Sequence, residues 1–162
     1  MLLAVSFLKE NSWLRGEGKI SEVILNLEDF NSIDVQSSID VVIAYSDKQT
    51  VVAKGPANII GKMPTRVNNG TWKVGLEQDY SKNSNLTVYI TLPDLKKVEM
   101  NGSGNVHIND FTDLADMSIE NRGSGKISLD SFAGSGTLDI KIPNSDSGRV
   151  TRWIDFLWHF GH

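Results

Sequence analysis

Apolar and polar residues alternate along much of this chain. In SIDVQSSIDVVIAY, from Ser32 to Tyr45, Ile33 and Val35 and then Ile39, Val41 and Ile43 fall on one side, with polar residues between them. A period of two predicts half-buried strands. The Ser37-Ser38 pair breaks the run and predicts a turn or bulge. TVVAKG (Thr50–Gly55) predicts a further strand ending at Gly55-Pro56. NLTVYITLP places Leu86, Val88, Ile90 and Leu92 on one face and stops at Pro93, which has no N–H to give a ladder. Asn69-Gly70, between Arg66-Val67 and Trp72–Val74, predicts a tight hairpin. Helical spacing is scarce. ANIIGKM (57–63) allows one turn, limited by Gly61 and Pro64, and FTDLADM (111–117) reads more easily as loop.

A second pattern lies over the first. VEMNGSGNVHINDF (98–111) returns as IENRGSGKISLDSF (119–132). Glu99 matches Glu120, Gly102-Ser103-Gly104 matches Gly123-Ser124-Gly125, Val106 and Ile108 match Ile127 and Leu129, and Phe111 matches Phe132. A worn third pass begins at Thr137-Leu138-Asp139-Ile140 and continues into NSDSGRV, with about two residues inserted. Gly134-Ser135-Gly136 is out of phase and reads as the other turn. Self-similarity at about 21 residues predicts a solenoid of stacked coils. Val106, Ile127 and Val150 then form one column, Ile108 and Leu129 another, and Phe111 lies over Phe132. The leucine scaffold of a leucine-rich repeat is absent. Gly-Ser-Gly at each corner is expected to supply positive φ and to leave room for turn over turn. A phosphate-binding glycine loop would lead into a helix; here each corner leads into a strand.

Composition narrows the field. A chain of 162 residues predicts one domain with a self-sufficient core. With no cysteine there is no disulfide, zinc–thiolate site or cysteine nucleophile. The net charge of -4, with basic residues dispersed, does not make the positive field that nucleic acid requires. No apolar stretch approaches the ~20 residues of a membrane-spanning helix. MLLAVSFL at the start reads as a first strand or as the remnant of a signal peptide, without the usual charged n-region.

FNSIDVQSSIDVVIAYSDKQTVVAKGPANII, NNGTWKV, LTVYITLPDLKKVEMNGSGNV and RGSGKISL together resemble the bacterial family of putative auto-transporter adhesin, head GIN domains. The similarity runs from about Gly16 to about Gly148. It implies an all-β fold with β-helix-like coils, mostly in secreted or envelope-anchored proteins of Bacteroidetes-like bacteria. It implies no established enzyme activity and brings no catalytic motif. Many members carry a lipoprotein-type cysteine, which this chain lacks. After Gly148 the pattern gives way to RVTRWIDFLWHFGH.

Candidate chemistry is thin. The tail gathers Trp153, Phe156, Trp158 and Phe160. Capping of an open solenoid end is the plain reading, and a partner-binding or membrane-interface patch is the sharper one. His159 and His162 lack a third metal ligand nearby, and His107 takes an outward strand position opposite Ser128. Glu99 in register with Glu120 offers a carboxylate pair for acid–base work, set against Lys97 or Arg122 as relief of like charge. Asp110, Asp113, Asp116, Asp130 and Asp139 read as turn or outward coil residues. Asn69, Asn85 and Asn101 fit the glycosylation pattern, but Asn69 and Asn101 are better turn formers.

The resulting expectation is one all-β domain over 17–150. Its N-terminal part, to about 95, is irregular or sandwich-like, and coils of about 21 residues follow. Residues 1–16 form a strand or signal remnant, and 151–162 an aromatic cap. Gly102, Ser103, Gly104, Gly123, Ser124, Gly125, Asn69 and Gly70 are structural turn residues. No catalytic residue, metal or cofactor is expected. The function is a non-catalytic, adhesin-like surface or periplasmic module for a glycan, lipid or protein, without nucleic acid. Two alternatives stand: a β-helical polysaccharide lyase or hydrolase, and a scaffold that self-associates through its ends or its aromatic tail.

Overall fold

The computed structural model describes residues 19–76, 85–112, 116–130, 136–143 and, for backbone pairing, 149–152. After β1 (Ile20–Ile24), which the pattern did not single out, the alternating segments become strands: β2 (Ser32–Val35), β3 (Asp40–Tyr45), β4 (Thr50–Pro56), β5 (Val67–Asn68), β6 (Thr71–Val74) and β7 (Thr87–Leu92). They continue as β8 (Lys97–Met100), β9 (Asn105–Asn109), β10 (Met117–Asn121), β11 (Lys126–Asp130), β12 (Leu138–Lys141) and β13 (Arg149–Arg152). The single-turn helix α1 (Ala57–Ile60) follows β4 and stops at Gly61. The Asn69-Gly70 turn closes the β5–β6 hairpin with φ of 49° and 71°, the left-handed pair that a two-residue hairpin of right-handed twist requires.

Two mixed sheets result, neither of them closed. One runs β1-β4-β7-β3-β9-β11-β13, the other β12-β10-β8-β2-β6-β5. Only β1–β4, β4–β7 and β5–β6 are antiparallel; the other neighbours pair in parallel. The antiparallel pairs and α1 belong to the N-terminal part, which gives that part its less regular character. Yet β2 and β3 lie beside β8 and β9, so both parts share both sheets.

The register follows the sequence pattern. Ile119 pairs with Val98 and with Ile140, and Ile127 pairs with Val106 and with Val150. Leu129 pairs with Ile108 on one side; on the other its register partner is Arg152. Phe111 is 1% exposed and meets Tyr45 edge-on at 6.1 Å. Its expected partner Phe132 lies outside the described residues, as do Gly134 and Ser135.

Inward residues of both sheets share one core. Trp72, wholly buried, packs on Phe30 at 5.6 Å and satisfies its indole by donating to the Pro64 carbonyl at 2.9 Å. A buried tryptophan N–H without a partner would cost about 1–3 kcal/mol, a large share of what the ring's burial contributes.

Of the two reasons expected for the corner glycines, positive φ does not hold and the need for room does. Among the described residues Gly70 is the one glycine with positive φ, so Gly102, Gly104, Gly123 and Gly125 do not need left-handed backbone. Close approach is what excludes a side chain. A β-carbon on Gly102 or Gly104 would overlap the carbonyl oxygen of Ser37 or Ile39, and one on Gly123 or Gly125 would overlap that of Gly102 or Gly104. Each corner rests directly on the backbone of the next.

Candidate functional site

Parallel register turns outward residues into rows. On the six-stranded sheet one row reads Lys73, Asp34, Glu99, Glu120, Lys141. Three adjacent carboxylates in such a row need cations and donors, and the flanking positions supply them. Lys97 Nζ lies 2.9 Å from Glu99, and Arg122 lies 2.9 Å from Glu99 through Nη1 and 2.8 Å from Glu120 through Nε. Asp34 accepts from Asn101 Nδ2 at 2.9 Å and from Gln36 Nε2 at 2.6 Å. The Glu99 and Glu120 side chains are only 16% and 14% exposed, whereas Arg122 is 52% exposed, so the guanidinium joins the two strands at a surface where water still competes for it.

The electrostatics oppose the acid–base reading of this pair. The Lys97 hydrogen bond, aided by the charges of Lys97 and Arg122, holds the Glu99 carboxyl below its ordinary value against the opposing effect of burial. Glu120, by its hydrogen bond and its charge, pushes the Arg122 guanidinium up. A proton donor for glycosidic or lyase chemistry needs a carboxyl raised toward neutrality; Glu99 moves the other way.

The corner column carries a second polar system. Ser38 and Ser103 join through their hydroxyls at 2.6 Å. Asn121, 0% exposed, braces the second corner: its Nδ2 donates to the Gly125 carbonyl at 2.9 Å, and its Oδ1 accepts from the Gly123 N–H at 3.1 Å. Sequence reading missed Asn121. The available signal was phase, because Asn121 takes the register position of the buried apolar Met100. Both corners lead into strands, β9 and β11, as the structural reading of the glycines requires.

On the outer face of the seven-stranded sheet one row reads Ile24, Val52, Tyr89, Val42, His107, Ser128. His107 Nδ1 and Ser128 Oγ are 2.6 Å apart, as the alignment of the two residues predicts. No group of three or more His, Cys, Asp or Glu suited to a metal occurs among the described residues. At the other end of the row Ile24 and Tyr89 are 67% and 43% exposed.

A cleft of about 400 Å³ opens where the loops before β2, before β4 and before β8 converge, lined among others by Asp29, Asn31, Asp47, Lys48, Gln49 and Asp94. Gln49 builds its wall, accepting from the Phe30 N–H at 3.0 Å and donating to the Glu28 carbonyl at 3.1 Å. The Tyr45 hydroxyl donates to Asp47 at 2.9 Å. Trp153, Phe156, Trp158 and Phe160, with His159 and His162, lie outside the described residues. Among the described residues no helix is long and apolar enough to cross a membrane.

Aligned polar rows on two open sheets and an open polar cleft thus sit on an all-β fold. The chain belongs to the family described as putative auto-transporter adhesin, head GIN domain, whose model matches residues 29–151. Its fold is similar to that of a putative adhesin from Bacteroides fragilis, at TM-score 0.76 and 21% identity, covering 85% of this chain and 63% of that one. It is also similar to a putative lipid binding protein from Parabacteroides distasonis, at TM-score 0.61 and 23% identity, over 78% of this chain and 61% of that one. A putative adhesin from Parabacteroides merdae matches at TM-score 0.65 and 19% identity, over 80% and 55%. The chain thus spans less than two thirds of the length of these structures. No curated protein matches it.

Proposed function

We propose that this chain is a non-catalytic, adhesin-like binding module of the cell surface or periplasm, whose ligand is a glycan, a lipid or another protein. Membership of the adhesin family supports the class. The observation that carries the reading is the outward row Asp34–Glu99–Glu120, locked by Lys97, Arg122, Asn101 and Gln36. A surface fixed before binding loses little entropy when a ligand meets it, and the Glu99 carboxyl within it is held below its ordinary value. We also read the two sheets as facing walls of a β-helical stack with about 21 residues per winding. The parallel registers and the corners without room for a β-carbon support that reading.

The test is a glycan array, with lipid vesicles in parallel and a turnover screen on acidic polysaccharides with and without chelator. Saturable binding without sugar release is expected. Saturable release of sugar would overturn the reading in favour of a carbohydrate-active enzyme. A lipid ligand is a second reading, favoured by the outer row in which Ile24 and Tyr89 are exposed and Val52 and Val42 half-buried. It predicts vesicle binding that weakens when Ile24 and Tyr89 become serine.

A further inference from the structure

The cleft of about 400 Å³ is built where four stretches far apart in the chain meet: 29–31, 47–49, Gly70 and 93–94. Its floor is tied together by the backbone. The Gly70 carbonyl accepts from the Asn31 and Ser32 N–H groups, both at 3.1 Å, and the Asn31 carbonyl accepts from the Lys96 N–H at 2.8 Å. The Lys48 carbonyl accepts from Thr91 Oγ1 at 3.1 Å, and the Ser46 N–H donates to the Leu92 carbonyl at 3.2 Å. The Gln49 amide adds its two bonds to the Phe30 N–H and the Glu28 carbonyl. A cavity of this size falls within the range of small-ligand sites, roughly 300–1,000 Å³.

The rim is held differently. Asp29, Asp47, Lys48 and Asp94 are exposed, and the Asp29 and Lys48 side chains have no polar partner among the described residues. Asp94 has a loose pair with Lys96 at 3.6 Å, and Asp47 accepts from the Tyr45 hydroxyl through one oxygen. Asn31 Oδ1 accepts from the Ser32 hydroxyl at 3.0 Å, which leaves the Asn31 Nδ2 donor to face the cleft's solvent. A fixed floor thus carries a rim of acceptors and donors that the fold does not consume.

The kinds of group on that rim select among ligands. Three carboxylates stand against one lysine, so a uronic acid, a sulfated sugar or a phosphate headgroup meets like charge. The carboxylates are not gathered around one ion, since no group of three or more suited to a metal occurs among the described residues. A plain cation would satisfy the carboxylates and leave the Lys48 and Asn31 donors without acceptors. Sugar hydroxyls are donors and acceptors at once, and Pro93 offers an exposed apolar wall to the C–H groups of a ring.

We propose that this cleft is the ligand site and takes an uncharged sugar unit of a glycan. Asp29 and Asp94 accept from its hydroxyls, and Lys48 and Asn31 Nδ2 donate to them. The inference rests on the reading of the chain as a binding module and narrows its ligand to a neutral glycan. The tied floor keeps the entropy lost on binding small.

The full-length protein is tested on an array of unsubstituted gluco-, manno- and galacto-oligosaccharides, with tetragalacturonate as the acidic probe and tetralysine as the cationic one. Saturable binding of at least one neutral oligosaccharide is expected, and none of tetragalacturonate. Asp29→Ala/Asp94→Ala should weaken that binding about tenfold or more, as the loss of charge-assisted hydrogen bonds requires. Its Tm should match the parent's, because both side chains are exposed. Glu22→Ala, an exposed carboxylate on β1 outside the cleft, should bind as the parent does. Undiminished binding by the double variant overturns the cleft assignment and leaves the binding-module reading standing. A preference for tetragalacturonate, or binding of tetralysine alone that vanishes with added salt, overturns the sugar class. A parent protein that binds no neutral oligosaccharide overturns the proposal, and the module reading falls with it only if acidic glycans and lipid vesicles are unbound as well.

Discussion

Gly123→Ala separates two accounts of the corner glycines by sign. Gly123 lies outside the left-handed region. If backbone freedom were all that mattered, alanine would restrict the unfolded chain and stabilise the protein by about 0.4–1 kcal/mol. The structure argues the reverse, because the new methyl would overlap the Gly102 carbonyl oxygen of the adjoining corner. The corner cannot move freely to relieve this. Its N–H groups at Arg122 and Gly123 donate to the Met100 carbonyl at 2.8 and 3.0 Å, and Asn121 holds it from within. Overpacking of about 1–3 kcal/mol, plus about 1 kcal/mol for a weakened hydrogen bond, gives a loss of about 2–4 kcal/mol. In a domain of this size that lowers Tm by roughly 5–15 °C. Urea unfolding followed by far-UV circular dichroism measures it, with the denaturant slope checked against the parent. Gly61→Ala is the internal control: its φ is -64°, and the nearest atom to a β-carbon is the Ala57 carbonyl oxygen at an ordinary 3.5 Å. It should be neutral or slightly stabilising. A Gly123→Ala protein as stable as its parent would refute the close-approach account.

Other expectations follow from the same geometry. Asn121→Ala leaves the Gly125 carbonyl without its buried donor and should cost about 2–3 kcal/mol in chemical unfolding; a change below about half that would mean the brace is not needed. Trp72→Ala removes a wholly buried ring and its bond to Pro64 and should cost about 3–5 kcal/mol, read as a drop in Tm. Because the Glu99 carboxyl is held below its ordinary value of 4.5 in the fold, it stabilises the native state above about that pH. That contribution is lost as pH falls through the depressed native value. Glu99→Gln should therefore lower Tm at neutral pH and flatten its decline on acidification, and parallel Tm profiles for the two proteins would contradict the assignment.

The strands were legible because alternation is local: one face of each segment enters the core, and a period of two records it. The strand register was legible in the phase of Glu99 with Glu120 and of Val106 with Ile127 and Val150, and the Glu99–Glu120–Arg122 network followed from it. The cause of the corner glycines was not. Gly-Ser-Gly reads equally well as a demand for positive φ or for space, and only the position of the Ser37, Ile39, Gly102 and Gly104 carbonyls decides. Asn121 was hidden because a buried polar residue in an apolar phase looks like an error in the repeat until its two backbone partners are seen. The place of β2 and β3 beside β8 and β9 was hidden too, since a separation of 65 residues leaves no periodic trace.

The position of β2 and β3 bears on when the protein can fold. Each lies between strands made after it: β2 between β6 and β8, β3 between β7 and β9. During synthesis the chain's first central strands therefore emerge with no neighbour on either side. They must wait until Asn109 has left the ribosome before both flanks exist. Such non-local pairing is slow to form. The two sheets of this design can therefore be completed only after most of the described chain has been made.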